Sequence, residues 1–259
     1  MKSQPKKETS WSRVSDWYDR IVGKEGHYYH KELIIPNLLN MLTFDSKSRL
    51  VDLGSGQGIL ARSLPEEVDY VGLEISSALL KAAKSYDRNK KHRYVQADLT
   101  AKWPLQKGQC FTHAVSILAL QNIEDPEKVF EELSYYMEEG GRAIFVLNHP
   151  YYRIPRQSRW NFDEKSQRQS REVFSYMTPQ RIPIITHPGK DQSATWSFHN
   201  PLSSYTKMGA KNGFLIETIE EWCSPKKSTG RAAKWENRAR KEFPLFMTIV
   251  FRKVTLVRR

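Results

Sequence analysis

Asp52 is followed by three glycines at alternate positions, Gly54, Gly56 and Gly58. Glycine takes positive φ without steric cost and lets a ligand lie against bare main chain. A second acid, Glu74, comes 20 residues after Gly54, and a third, Asp98, closes the next apolar run. A carboxylate in such a place accepts hydrogen bonds from neutral donors, for example both hydroxyls of a ribose. Further on, Asn148-His149-Pro150 ends another apolar run. His149 has the side chain best suited to take a proton near neutral pH.

These residues are positioned by a repeating pattern of elements. Leu50 to Leu53 runs apolar into the glycines, and Ile59-Leu60-Ala61 follows them. The run reads as a buried strand, a tight turn and a helix start. The first N–H groups of a helix carry partial positive charge and suit a carboxylate or phosphate. Two phosphate-binding patterns fail: the third glycine comes one residue early for G-x-G-x-x-G, and no Lys follows as a P-loop requires. Val68 to Glu74 reads as the second strand, Tyr94 to Ala97 as the third, Phe111 to Leu118 as the fourth and Arg142 to Leu147 as the fifth. Ser76 caps a helix to about Ser85, and Asp125-Pro126 opens another that ends at Gly140-Gly141. Strand and helix alternating five times with short connections predict an α/β fold with a doubly wound, mainly parallel sheet. All three acids, and His149, then sit at or near carboxyl ends of strands, where such sheets bind ligands.

The flanks differ in character. Trp11, Val14, Tyr18 and Ile21 predict an amphipathic helix over 10–23. The donor-rich stretch Gly26 to His30 follows, then a second helix over 31–43 that Pro36 kinks or restarts. Residues 151–200 break the rhythm. Tyr151 to Trp160 is aromatic and basic, and Arg181–His187 with Ala194–His199 predict an edge hairpin turning at Pro188 to Asp191. A helix from Pro201 to about Asn212, a strand over Phe214–Trp222, a basic segment helical from about Arg231 and a strand over Phe246–Phe251 complete the chain. The expected organisation is a tail and helical cap (1–44), a core (45–150), an insertion or lid (151–200) and the rest of the same domain (201–259).

A chain of 259 residues fits one such domain. Cys110 and Cys223 fall in unrelated places, against a disulfide framework and against a metal cluster. The start lacks an apolar core and no run reaches the length of a membrane span, so a cytoplasmic protein is expected. The net charge of +12 is uneven: from Pro225 onward there are eleven bases and two acids. Such a face suits phosphate backbones or an acidic substrate, but no aromatics are regularly interleaved for base stacking.

An acid followed by G-x-G-x-G resembles motif I of the class I S-adenosylmethionine-dependent methyltransferases, with a methyltransferase type 11-like domain. The likeness covers Leu50 to Leu147 well and the last strands loosely. It implies a Rossmann-like sheet of seven strands, the last inserted antiparallel between the fifth and sixth, and S-adenosylmethionine as cofactor. It implies cofactor contacts from Asp52, Gly54, Ser55, Gly56 and Gly58, with Glu74 and Ile75 at the ribose, Asp98 and Leu99 at the adenine, and Leu118 near the methyl group. Gln121 and Asn122 fall where the family faces its substrate, and Arg153, Arg156 and Arg159 could hold an anionic one by forked hydrogen bonds. His149, Tyr28 or Tyr151 would remove a proton from the acceptor. Absence of a Pro-Pro-Tyr type motif after the fourth strand counts against methylation of bases or glutamine amides. The expectation is a methyltransferase, monomeric or homodimeric, acting on a small anionic or aromatic molecule. The alternatives are an RNA- or protein-modifying enzyme guided by the basic C-terminal face, and a binding module without catalysis.

Overall fold

A computed structural model of the protein describes residues 26–185 and 194–255. The helix expected over 10–23 and the turn at Pro188 to Asp191 lie outside the described residues. The strands are β1 (Arg49–Leu53), β2 (Asp69–Glu74), β3 (Arg93–Gln96), β4 (Phe111–Ile117), β5 (Met137–Asn148), β6 (Ser158–Asp163), β7 (Arg168–Val173), β8 (Gln180–Ile185), β9 (Ala194–His199), β10 (Phe214–Trp222) and β11 (Phe246–Lys253). The helices are α1 (Ile35–Met41), α2 (Ser77–Tyr86), α3 (Pro126–Tyr136), α4 (Leu202–Lys211) and α5 (Ala233–Glu242). No described helix is long and apolar enough to cross a membrane.

Alternation along the strands divides the core in two. Val51, Leu53, Val71 and Leu73 pack on one face with Phe130, Phe145 and Phe251. Leu50, Tyr70, Val115 and Ile144 pack on the other with Ile34, Leu38 and Leu60. Each fully buried side chain of this size contributes about 1.5–3 kcal/mol. The main sheet has the order β10-β11-β5-β4-β1-β2-β3. β1 to β5 pair in parallel, while β11 lies antiparallel between β5 and β10. This is the doubly wound, seven-stranded arrangement expected, with the inserted last strand.

Several details differ from the expectation. α3 stops at Tyr136, and Gly140-Gly141 lies inside β5. Met137 is already paired with Phe111, and the ladder shifts register before His113. Gly140 has φ +75°, and a Cβ on Gly141 would stand 2.9 Å from the Glu138 carbonyl and 3.1 Å from that of Thr112. The glycines therefore build a bulge in a strand, because tertiary pairing outcompetes a local helix stop. Near the start, a π-helical turn (His30–Ile34) precedes α1, with Pro36 in the first turn of the α-helix. Proline has no N–H to give to the preceding turn, and the backbone register changes there. The β8–β9 hairpin forms with Gln180 opposite His199, but as a separate sheet rather than on the edge of the main one. A second hairpin, β6–β7, was not anticipated. It packs on α5 through Trp160 on Phe243 and Phe162 on Trp235.

The bulge predicts unequal costs. Gly141→Ala should destabilise by about 1–3 kcal/mol, since its methyl meets fixed main chain. Gly140→Asn, at positive φ with open space around its Cα, should cost under about 1 kcal/mol. Denaturant unfolding of the two variants measures the difference.

Candidate active site

From β1 the chain winds to β2 and β3 on one side, then returns to place β4 and β5 on the other. Sheets of this kind bind ligands at the carboxyl ends where the direction reverses. There Gly54 (φ +76°) meets Ala119: a Cβ on Gly54 would lie 2.5 Å from the Ala119 Cβ. Leu118 beside it has φ +53°, a left-handed conformation that costs a branched residue roughly 1–3 kcal/mol. It is held by its own N–H, which donates to Val146 at 2.8 Å, and by Asn122 Nδ2, which donates to its carbonyl at 3.1 Å. Gln121 Oε1 accepts from the Asn148 N–H at 2.9 Å. Gln121 and Asn122 thus brace the ends of β4 and β5, and their side chains are engaged there.

The glycine loop works differently from the anion cradle expected of a helix start. The N–H groups of Gly54 and Ser55 donate to Leu73 O at 2.8 and 3.0 Å, and that of Gly58 to Ser55 O. The Gly56 N–H donates to Glu74 Oε2 at 3.0 Å. After the loop comes only a single 3-10 turn, Ala61–Ser63. The glycines give their side-chain space to neighbours, Ala119 beside Gly54 and Tyr94 beside Gly58, and the loop holds the Glu74 carboxylate fixed. Glu74 also accepts from the Ser76 N–H at 2.8 Å. Burial raises its pKa, and the Ser76 and Gly56 amides oppose that shift.

Glu74 is in register with Gln96 of β3, which brings Asp98 to the neighbouring strand tip. Asp98 is exposed and uses Oδ1 to accept from the N–H and hydroxyl of Thr100. Ile75, 39% exposed, follows Glu74 directly. Leu99 is buried in the core. Ser55 is buried too, and its Oγ would stand 2.8 Å from a Cβ on Gly72. Its side chain therefore faces the sheet.

Asp52 is 2% exposed and accepts from the Tyr70 hydroxyl at 2.8 Å. Burial pushes its pKa up to about 7; the Tyr70 hydrogen bond opposes this and the nearby Glu74 charge adds to it. The Tyr70 ring packs on His92 and Tyr94. Asp87 Oδ2 takes the Tyr94 hydroxyl at 2.6 Å and meets His92 Nδ1 at 2.7 Å. Sequence reasoning missed this network. Its signal was period two: Tyr70 stands opposite Leu50, on the face that Asp52 shares.

A cavity of about 340 Å³ opens beside Leu118, Asn148 and Phe246, closed on the other side by His27, Tyr29, His30 and Ile34, with Arg153 and Leu245 completing the wall. His30 Nδ1 is buried with no partner among the described residues, and burial, then His27, lowers its pKa to about 4. Tyr29 packs edge-on to Phe246 and bonds Ser224. None of the three candidate bases lines this cavity. Tyr28 is 39% exposed with Lys226 Nζ over its ring at 4.7 Å, and Tyr151 is exposed against Tyr152 and Tyr176. His149 Nδ1 accepts from the N–H groups of Tyr151 and Tyr152, which leaves Nε2 to donate to Glu221 at 2.7 Å. Burial lowers its pKa, with Glu221 opposing. Both nitrogens are taken, as in a residue that positions its turn. Arg153 reaches the cavity, but Arg156 is exposed at φ +62° and Arg159 pairs with Glu172. A larger hollow of about 720 Å³, with Ile59, Arg62, Tyr86 and His92 in its wall, lies toward the starts of β2 and β3, away from the carboxyl edge.

Residues 51–145 match the model of a methyltransferase-domain family. A solved S-adenosylmethionine-dependent methyltransferase from Mesorhizobium loti is 27% identical with a TM-score of 0.65, covering 84% of this chain and 96% of its own. A protein from Listeria monocytogenes, assigned as an S-adenosylmethionine-dependent methyltransferase, shares the fold at 21% identity and a TM-score of 0.67, covering 85% of this chain and 96% of its own. A Haloferax volcanii methyltransferase complexed with its Trm112 activator is 14% identical at 0.62, covering 95% and 96%. No curated protein matches the sequence. Residues 51–145 therefore carry the mark of a methyltransferase domain, and the chain as a whole is similar to S-adenosylmethionine-dependent methyltransferases in fold. The residues present are compatible with a nucleoside cofactor: positive-φ glycines end β1, Glu74 and Asp98 stand at adjacent strand tips, and Ile75 after Glu74 is exposed.

Asp52 gives a prediction with a definite sign. Its ordinary pKa is 3.8 and its folded value about 7. Between these the folded protein holds a proton that the unfolded chain releases, so stability falls as pH rises through this window and levels off above it. Asp52→Asn keeps an acceptor for Tyr70 and removes the buried charge. It should match the parent near pH 4 and exceed it at pH 8 by about 2–4 kcal/mol, read from urea unfolding across pH 4–8.

Proposed function

We propose that the protein transfers a methyl group from S-adenosylmethionine to a small-molecule acceptor seated in the 340 Å³ cavity. The observation that carries this reading is the shared wall at residues 118 and 119: Ala119 touches Gly54 of the cofactor crevice, and Leu118 lines the cavity. The volume falls in the range of small-molecule sites, and the lining has the expected make-up of mostly apolar walls with a few polar groups.

When bound, the cofactor supplies an electrophilic methyl group on sulfur. In this reading Glu74 and Asp98 hold its ribose and adenine by accepting hydrogen bonds, Ile75 covers the purine, and Asp52 gives the loop a carboxylate that a nearby cation would keep ionised. Leu118 fixes the line between donor and acceptor; such alignment is worth about 7–11 kcal/mol. His149 holds the turn that carries Arg153, while His30, in the cavity wall, is better placed than His149 to meet an acceptor's proton. Residues 151–200 act as a lid on the acceptor side, since Ser197 to Asn200 stand beside Gln121 and Asn148.

The basic C-terminal stretch supports a small molecule over a polymer, because several of its charges are already engaged. Lys226 lies over Tyr28 and Tyr29, Arg240 pairs with Glu236, Arg252 with Glu217, and Lys253 Nζ donates to Asn212 O. Calorimetry tests the reading. S-adenosylhomocysteine should bind one to one, tenfold or more weakly in Glu74→Gln, which loses a charged acceptor. RNA should bind weakly, with a shallow dependence on salt. No binding of S-adenosylhomocysteine would remove the cofactor role, and tight RNA binding with a steep salt dependence would favour a polymer substrate.

A further inference from the structure

We infer that the acceptor carries an oxyanion, a carboxylate or phosphate on an apolar body, and that Arg153 binds it; this deepens the acceptor-cavity reading and rests on it. Arg153 borders both the 340 Å³ cavity and a small adjoining one. Its guanidinium stacks on Trp160 with Cζ 5.2 Å from the ring centre, and Nε donates to Pro244 O at 3.4 Å. No carboxylate pairs with it among the described residues. Glu221, which stands near His149 on the same side, is committed to His149 Nε2.

The surroundings add positive charge. Arg171 has its Cζ 4.9 Å from the same Trp160 ring and gives its N–H groups to Tyr152 O and Ser158 Oγ, both neutral. Its Nε, like that of Arg240, is buried with no acceptor among the described residues. Lys226 Nζ lies 5.1 Å from the ring centre of Tyr29, which lines the cavity. Burial and then the charge of Arg171 pull Arg153 down to about 10; Arg240 adds to the effect, and Tyr29 and Cys223 oppose it.

A half-buried cation crowded by cations is costly unless an anion meets it. An apolar side chain of similar length would line the wall at less expense. The charge there is explained by a ligand that neutralises it. A guanidinium suits a planar or tetrahedral oxyanion because it offers two parallel N–H groups. Leu118, Leu245, Phe246 and Ile34 then receive the apolar remainder.

The test is calorimetry on the full chain, with and without S-adenosylhomocysteine, using 2-naphthoate, 2-naphthyl phosphate and neutral 2-naphthamide as probes. At least one anion should bind tenfold or more tightly than the amide; the tighter of the two identifies the acceptor as a carboxylic acid or a phosphate ester. Arg153→Met should abolish that preference with S-adenosylhomocysteine binding unchanged, while Arg159→Met, at a residue paired with Glu172, should preserve it. Equal binding of the amide, absence of anion binding, or a preference that survives Arg153→Met would overturn the proposal. An anion preference that depends on Arg153 in a protein that does not bind S-adenosylhomocysteine would uphold the oxyanion site and count against the methyltransferase reading alone.

Discussion

At the carboxyl edge the Ala119 methyl group fills the space beside Gly54 and leaves no room for a second side chain. Gly54 ends β1, Ala119 follows β4, and a methyl group on Gly54 would overlap that of Ala119. The contact exists because β1 and β4 are parallel neighbours at the point where the winding of the sheet reverses. It places the glycine loop beside Ala119, whose chain neighbour Leu118 lines the 340 Å³ cavity. The strained backbone of Leu118 persists because three independent groups hold that segment: Val146 O, the Asn122 side chain and the Gln121 bridge to Asn148. Strain held in this way is a feature of sites where geometry must not relax.

The same edge concentrates electrostatic cost. Asp52 and Glu74 are both buried, burial raises the pKa of each, and the Glu74 charge makes Asp52 harder still to ionise. The protein tolerates this because stability comes from elsewhere, chiefly the aromatic cluster of Phe130, Phe145, Phe214 and Phe251 on the far side of β5 and β11. Division of labour between a stable face and a costly edge is common where binding requires preorganised charge.

What was legible in the sequence was local. Asp52, the three glycines, Glu74 and Asp98 are each read from a few neighbours, and parallel pairing carries them to one edge. The parallel part of the sheet followed from the rhythm of strand and helix, and the seven strands with an inserted last one followed from the family resemblance. Features decided by distant partners were not legible. Gly140-Gly141 has the form of a helix stop, yet pairing with β4 claims it for a strand. The loop amides look available to an anion, yet Leu73 O and Glu74 take them. His149 sits at the expected strand end, but its ring is turned toward Glu221 of β10, 72 residues on. β6–β7 lacks an apolar alternation because its buried surface is a row of aromatic and arginine stacks rather than a core.

The two halves of the site differ in origin, and this explains why the cofactor is easier to assign than the acceptor. The crevice is built from one run of consecutive elements, within residues 51–145 that match the family. The cavity is built from the turn before α1, the end of β5, the following loop and the start of β11, and of its lining only Leu118 falls inside that match. A family resemblance therefore bears on the donor and leaves the acceptor to residues outside the matched segment. For those residues physical reading is the route: Arg153 stands in the cavity wall, shares the Trp160 ring with Arg171 and has no carboxylate partner among the described residues, and an unanswered buried charge is costly.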